Sequence, residues 1–143
     1  MTDHNEGRQP LKRSTLFFYG LTEFPIHITL MPMTAFIPNF YASDLGISLA
    51  VVGTIVLVTR LFDVITDPLI GFLSDRTNTR WGRRRPWLVA SLPVMMIGVY
   101  KLFLPDLGVG GAYLFMWMTV VWLGWTMLLI PYWAWAAELS PDY

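Results

Sequence analysis

The chain contains no cysteine, which excludes disulfide frameworks, zinc fingers and every other thiolate metal site. Charged residues are scarce too. They make up 14% of the 143 residues, well below the roughly 25% that is usual for a soluble domain. Hydrophobic residues reach 55% and aromatic residues 15%. This composition is typical of a membrane protein.

Several functional motifs are missing as well. The sequence has no glycine loop that would cradle a phosphate, no histidine pair at metal-binding spacing, and no Ser/His/Asp order typical of a hydrolase. The arginine-rich stretch lacks the interleaved aromatic residues of a nucleic-acid groove. We therefore expect no enzyme, no cofactor and no nucleic-acid partner.

Four apolar stretches are long enough to cross a bilayer, for which about 20 residues suffice. The first runs well beyond the roughly 7–15 apolar residues of a signal peptide, so we expect it to be retained. The predicted fold class is all-α and polytopic, with a polar tail before the spans and the start of a loop after them. The tail is 1–14, the spans are 15–41, 49–74, 87–104 and 112–137, and the loop starts at 138–143.

Local signals refine these spans. Pro25, Pro32 and Pro38 should bend the first, and Ser48 should cap the start of the second. Basic residues precede the first span and crowd the loop between the second and third, whereas only Lys101 lies near the opposite side. Because basic residues favour the cytoplasmic side, both termini are predicted to be cytoplasmic in a protein of the inner membrane.

The stretch RLFDVITDP places three ionisable groups, Arg60, Asp63 and Asp67, on one stripe of an otherwise apolar helix. Near the helix centre they would cost roughly 8–10 kcal/mol to insert, and the apolar residues of the span return only about 4–7 kcal/mol. The stripe must therefore face other helices or a wet cavity.

Two interpretations of this stripe remain open. Arg60 can neutralise one carboxylate, which leaves a negative charge that Na⁺ or a proton could complete, and two close carboxylates oppose each other's ionisation. Alternatively, the three groups form an interhelical salt-bridge knot that only fixes packing. Ionisable groups inside membranes are by default pathway residues, which favours the first interpretation.

The loop sequence GFLSDRTNTRWGRRRP follows the stripe. Its simplest interpretation is a topology anchor held inside by its arginines and by anionic lipid. The spacing suggests more, namely a tight loop in which Asp75 meets an arginine and locks two helices in a contact that breaks and re-forms during transport. The candidate gating residues are Gly71, Asp75, Arg76, Arg80, Gly82, Arg83, Arg84 and Arg85.

The combined sequence RLFDVITDPLIGFLSDRTNTRWGRRRPW resembles the glycoside/pentoside/hexuronide:cation symporters, the melibiose-carrier family of the major facilitator superfamily. The loop is similar to that superfamily's signature between its second and third helices. IPYWAWAAELSPD, at 130–142, is similar to the family's Pro-aromatic-Trp segment. The four spans would then be the first four of the family's twelve helices.

The resemblance implies roles for particular residues. Asp63 and Asp67 would help to coordinate the coupling cation, and Thr126 would lie near it. The substrate-path candidates are His27, Arg60, Trp125 and Trp133. His27 and Leu129 stand where melibiose carriers have acids, which favours a proton over Na⁺ as the coupling ion, although Na⁺ at Asp63 and Asp67 stays open.

Two further patterns leave alternatives open. Glu23 and His27, at i and i+4, either take part in proton movement or form a polar pair that stitches helices together. Trp117, Trp122 and Trp135 crowd the fourth span with the two tryptophans already named. Aromatic faces can stack on sugar rings, but we expect most of these residues to face lipid or to lie in the interfacial aromatic belt, and we retain only Trp125 and Trp133 for the sugar path.

The sequence thus predicts cation-coupled symport of a sugar or glycoside, with lipid and the remaining transporter helices as partners. We expect the chain to be a truncated N-terminal part that is inactive alone. The alternatives are a small membrane subunit that docks a partner and a carrier of the same superfamily with a non-sugar solute.

Overall fold

The computed structural model describes residues 17, 20, 21, 24, 27, 28, 30–106 and 108–139, with backbone only at 135–139. Within these residues every regular element is a helix. The elements are a π-helical turn at Pro32–Phe36, α1 at Ile37–Ser43, α2 at Leu49–Arg76, α3 at Arg85–Phe103 and α4 at Gly111–Leu139. Three of the segments are long and apolar enough to span a membrane: Leu49–Arg76, Arg85–Phe103 and Gly111–Ala134.

The first predicted span lies partly outside the described residues, so the count of four spans stays a prediction. Where the structure describes it, the span contains the π-helical turn, in which the Ile37 amide donates to the Pro32 carbonyl. Proline supplies no backbone N–H, and π-helical turns interrupt an α-helix where its regular ladder is broken. The turn lies in the proline-rich part of the span, where a bend was expected.

Helix α2 begins as predicted, because the Ser48 hydroxyl oxygen accepts a hydrogen bond from the Val51 amide at 3.3 Å. It ends after Arg76, where the Thr77 hydroxyl donates to the Leu73 carbonyl at 2.8 Å. Pro68 lies inside the helix and withholds one backbone donor. Membrane helices tolerate this where neighbouring helices cover the freed carbonyl.

Helix α4 packs against both α2 and α3. Contacts between α2 and α4 advance together along the two sequences, so these helices run in the same direction. The pairs are Arg60 with Trp122, Asp67 with Thr126 and Gly71 with Ile130. Contacts between α3 and α4 run oppositely, since Gly98 faces Val121 while Met95 faces Gly124. Successive helices therefore alternate in direction, as consecutive membrane crossings require.

Small residues let α3 and α4 approach closely. A Cβ on Gly124 would lie 2.7 Å from Met95 Cγ, and one on Gly98 would lie 2.6 Å from Val121 Cγ2. Such contacts are typical of helix pairs in membranes, where close van der Waals packing replaces the hydrophobic effect. At the end of α3, the buried Tyr41 hydroxyl donates to the Leu102 carbonyl at 3.0 Å, which ties α1 to this pair.

Candidate functional site

A cavity of about 300 Å³ opens between the first span, α2 and α4. Its walls combine apolar side chains, a charged stripe and three tryptophans. The lining residues are His27, Leu30, Arg60, Asp63, Asp67, Trp122, Trp125, Thr126, Leu129, Ile130 and Trp133. All seven residues predicted for the cation site or the substrate path are among them. The stripe of α2 therefore lines an open cavity between the helices, which meets the requirement set by its insertion cost.

Arg60 makes two contacts in this cavity. Its Nη1 donates to Asp63 Oδ2 at 3.4 Å, a long ion-pair contact. Its Cζ lies 3.6 Å from the centroid of the Trp122 ring, well within the range of a cation–π interaction. The Arg60 side chain keeps 45% of its surface exposed, whereas Asp63 keeps 19%. The Trp122 ring thus contacts the guanidinium group on its face, and the Asp63 carboxylate contacts it at its edge.

Asp67 has a different partner. Its Oδ1 accepts a hydrogen bond of 2.8 Å from the Thr126 hydroxyl, which α4 contributes from 59 positions further along the chain. Thr126 is buried. Among the described residues, this hydroxyl is the one side-chain group that hydrogen-bonds Asp67. Asp67 therefore stays an acid without a basic partner in this part of the chain, while Asp63 has Arg60.

This arrangement can do chemistry that a neutral cavity cannot. Two carboxylates and one guanidinium leave one negative charge uncompensated, and carboxylate and hydroxyl oxygens suit hard cations. The described residues contain no group of three or more His, Asp or Glu side chains positioned to hold a metal ion. Among the described lining residues, Asp67, Asp63 and Thr126 supply the carboxylate and hydroxyl oxygens.

The aromatic wall includes one residue that sequence reasoning misplaced. Trp125 and Trp133 line the cavity, as do the polar side chains of the stripe. Trp122, assigned to the aromatic belt, is instead buried, lines the same cavity and packs edge-on against Trp125 at 6.3 Å. The spacing in the sequence could have predicted this position. Trp122 precedes Thr126 by one helical turn, so the two residues share one face of α4.

The remaining residues from the sequence analysis are placed as follows. His27 reaches the cavity wall from the first span. Trp117 packs against Tyr113, with ring centroids 6.2 Å apart, and does not line the cavity. Glu23, the predicted partner of His27, and the side chain of Trp135 lie outside the described residues.

The loop between α2 and α3 forms a second charged cluster. Asp75 Oδ1 lies 3.4 Å from Arg84 Nη2 and 3.6 Å from Arg83 Nη2. The predicted contact of Asp75 with an arginine is therefore present, and it joins the end of α2 to the start of α3. The Trp87 indole N–H also donates to the Thr77 hydroxyl oxygen across the same joint, at 2.9 Å.

The remaining loop residues shape a tight turn. The Gly82 amide donates to the Thr79 carbonyl at 2.9 Å, and Gly82 adopts a φ of +98°, which favours glycine. Two arginines stack on neighbouring aromatic rings, Arg76 on Phe72 at 4.0 Å and Arg80 on Trp81 at 5.8 Å. Of the other candidates, Arg85 begins α3 and Gly71 faces Ile130 of α4.

Comparisons with known proteins agree with the resemblance. The chain is 35% identical over 127 residues to the inner membrane symporter YicJ of Escherichia coli. The aligned region covers 87% of this chain and 28% of YicJ. It is 34% identical over 110 residues to the isoprimeverose transporter of Lactiplantibacillus pentosus, covering 76% and 22%. The glycoside/cation symporter YagG of E. coli is 32% identical over 127 residues, covering 87% and 28%. No solved structure gives a significant match.

These relatives are named as transporters and not as enzymes. The three apolar helices make the chain an integral membrane protein. The chain spans less than a third of the length of each relative named above. A family described as "MFS/sugar transport protein" matches residues 18–143. The chain belongs to the MFS/sugar transport protein family, within the melibiose-carrier-like symporters.

Proposed function

We propose that this chain forms part of a cation-coupled symporter for a sugar or glycoside. The observation that carries the proposal is the cavity itself. In it, tryptophan rings meet one acid paired with Arg60 and a second acid, Asp67, that has no basic partner among the described residues. Relatives named for glycoside and isoprimeverose transport support the solute class.

The coupling ion would bind at the acids. Asp67 and Thr126 offer a carboxylate and a hydroxyl 2.8 Å apart, and Asp63 adds a second carboxylate on the same face of α2. Either Na⁺ or H⁺ could complete the residual charge. The apolar Leu129 at the cavity wall supplies no oxygen ligand from its side chain, which favours the proton, since a proton needs fewer ligands.

The solute would occupy the rest of the cavity. Its volume of about 300 Å³ lies at the lower end of the range for small-molecule sites. Trp125 and Trp133 contribute aromatic rings to the lining, which suit the apolar side of a sugar, while Arg60 and His27 offer polar contacts for its hydroxyl groups.

The loop cluster, Asp75 with Arg83 and Arg84, would act as a gate. It joins the ends of α2 and α3 through two long contacts of the exposed Asp75 carboxylate, which solvent can replace when the helices move. In this proposal the loop and both termini face the cytoplasm, and the arginines contact anionic lipid.

The proposal also holds that residues 1–143 alone do not transport, because alternating access needs two helix bundles moving about a shared site. Purified chain reconstituted into vesicles should therefore show no cation-driven sugar uptake. Robust uptake by these vesicles would contradict this part of the proposal.

The coupled function can be tested in a chimera. The matched 110-residue segment of the isoprimeverose transporter is replaced by the corresponding segment of this chain, and isoprimeverose uptake is measured at varied pH and Na⁺. We expect uptake that one of the two ions stimulates. Asp67→Asn should reduce the stimulated uptake by at least about tenfold, or about 1.4 kcal/mol, because it removes the acid without a basic partner. Asp63→Asn should also reduce it.

Two controls make the result decisive. Asp106→Asn changes an exposed acid in the turn after α3 and should leave uptake unchanged. A fluorescent tag reports whether each chimera inserts into the membrane. A correctly inserted chimera whose ion stimulation survives both Asp63→Asn and Asp67→Asn would show that the acids serve packing only. Uptake of an unrelated solute in preference to sugars would favour a non-sugar carrier.

A further inference from the structure

The ion pair between Arg60 and Asp63 is not what α2 would form by itself. The arginine precedes the acid in sequence, which is the weaker order for a charged pair on a helix. Side chains on a helix also lean toward its N-terminus, so Arg60 leans away from Asp63. The 3.4 Å separation of Nη1 from Oδ2 agrees with a weak local pair. Another element must hold the guanidinium in place.

Trp122 supplies that support from α4. The Arg60 Cζ lies 3.6 Å from the Trp122 ring centroid, closer than the Cζ of Arg76 or Arg80 lies to the ring that it covers, at 4.0 and 5.8 Å. Only 6% of the Trp122 surface is exposed, and the edge-on contact with Trp125 fixes the tilt of its ring. The indole is therefore a rigid platform, and it limits where the flexible arginine side chain can lie.

The same face of α4 provides a different contact for Asp67. Thr126 lies one turn after Trp122 and donates its hydroxyl to Asp67, which lies about 10.5 Å further along α2 than Arg60. An indole thus faces the guanidinium and a hydroxyl faces the more distant acid. Without the platform, the guanidinium would be free to leave Asp63, and the pairing that leaves Asp67 as the uncompensated acid would be lost.

We infer that Trp122 is a positioning residue that holds the Arg60 guanidinium beside Asp63 and so keeps the charge of Asp67 available. The geometric part of this inference concerns the described residues alone. Its consequence for ion coupling rests on the proposed function.

The geometric part can be tested on the full chain in lipid nanodiscs with ¹⁵N-labelled arginine. Protons held over an indole face are shifted upfield by its ring current, so the Arg60 guanidinium signals, assigned with Arg60→Lys, should be displaced upfield. Trp122→Leu should abolish the displacement and Trp122→Phe should reduce it. Asp63→Asn should leave most of it, because the ring and not the acid holds the guanidinium.

Trp117→Leu is the matched control, since it removes another indole of α4 that packs against Tyr113 and not against Arg60. Arg60 signals that are not displaced in the unaltered chain, or that stay displaced in Trp122→Leu, would overturn the inference. If Trp122→Leu does not fold, Trp122→Phe takes its place. Arg60 signals that stay fully displaced in Trp122→Phe but lose their displacement in Asp63→Asn would also overturn the inference.

The consequence for coupling is tested in the isoprimeverose chimera. Trp122→Leu should raise the KM for the coupling ion by roughly three- to thirtyfold, the range expected from losing one cation–π contact, and change the maximal rate less. Trp122→Phe should restore part of the affinity. Absence of ion-stimulated uptake in the unaltered chimera would count against the proposed function while the spectroscopic result stands. A normal KM in Trp122→Leu would overturn the inference about coupling.

Discussion

The cavity cluster (Arg60, Asp63, Asp67, Trp122 and Thr126) and the loop cluster (Asp75, Arg83 and Arg84) use similar residue types in opposite ways. Each contains an arginine–aspartate separation of 3.4 Å. In the cavity, the contacts that orient the charges come from another helix. In the loop, the partners lie within ten positions of one another, and Asp75 keeps 57% of its surface exposed.

The comparison teaches that distance alone does not rank ion pairs. In the loop, the Asp75 carboxylate is exposed while Arg84 keeps only 11% of its side chain exposed. Water and salt reach the pair from the Asp75 side, and exposed pairs contribute about 0–1 kcal/mol. In the cavity cluster, Arg60 and Asp67 each depend on a contact from α4, and the loss of that contact changes the surroundings of the charge. Substitutions that disturb the packing of the helices should therefore change the contacts of the cavity cluster. Substitutions in the loop should change only the loop cluster. Three predictions test this difference, in order of decreasing effect.

Gly124→Ala should have the largest effect. Gly124 lies between Trp122 and Thr126 in sequence, and its Cβ would come within 2.7 Å of Met95 Cγ and 3.2 Å of the Met95 amide nitrogen. The Met95 backbone cannot move aside as the end of a flexible side chain can, so the added methyl group must displace α4. We expect a loss of about 1–3 kcal/mol in the free energy of unfolding, measured by denaturation in detergent, and a reduced upfield displacement of the Arg60 signals.

Gly53→Ala is its matched control, because a Cβ there meets nothing within 4 Å on the same kind of membrane helix. It should be neutral or slightly stabilising, since alanine favours helices. Equal stability of the two variants would show that α3 and α4 are not as tightly packed as described.

Gly82→Ala should have an intermediate and local effect. The φ of +98° disfavours any residue with a Cβ, and we expect a cost of about 1 kcal/mol. The loop should become more sensitive to protease, while the Arg60 signals stay in place. Gly110→Ala, in the turn before α4, serves as the control because no neighbour lies within 4 Å of its Cβ. A change at Arg60 in Gly82→Ala would break the separation between the two clusters.

Asp75→Asn should have the smallest effect on stability, less than about 1 kcal/mol, and the difference should vanish at high salt. The reason is that the acid is exposed and its two arginine contacts are long. Unfolding at low and high ionic strength, with Asp106→Asn as the reference, measures it. A loss above 2 kcal/mol that salt does not reduce would show that the loop pair behaves like a buried one.

Much of the candidate site was predictable. Three charges in one apolar stretch cannot face lipid, so the direction of the stripe on α2 followed from its insertion cost. Thr126, Trp125 and Trp133 came from the resemblance, and they line the same cavity as the stripe. Trp122 was missed because tryptophans in a span usually belong to the belt, and composition cannot separate a belt residue from a buried one.

The sequence by itself determined that the chain is helical and membrane-embedded, where its long helices lie and which face of α2 turns inward, because hydropathy and the cost of charge in lipid act on each segment separately. Only the tertiary structure decided that Asp63 pairs with the arginine and that Asp67 accepts the hydrogen bond from the threonine hydroxyl. That choice depends on the register between α2 and α4, and the register is set by side chains that meet across the two helices from distant parts of the chain.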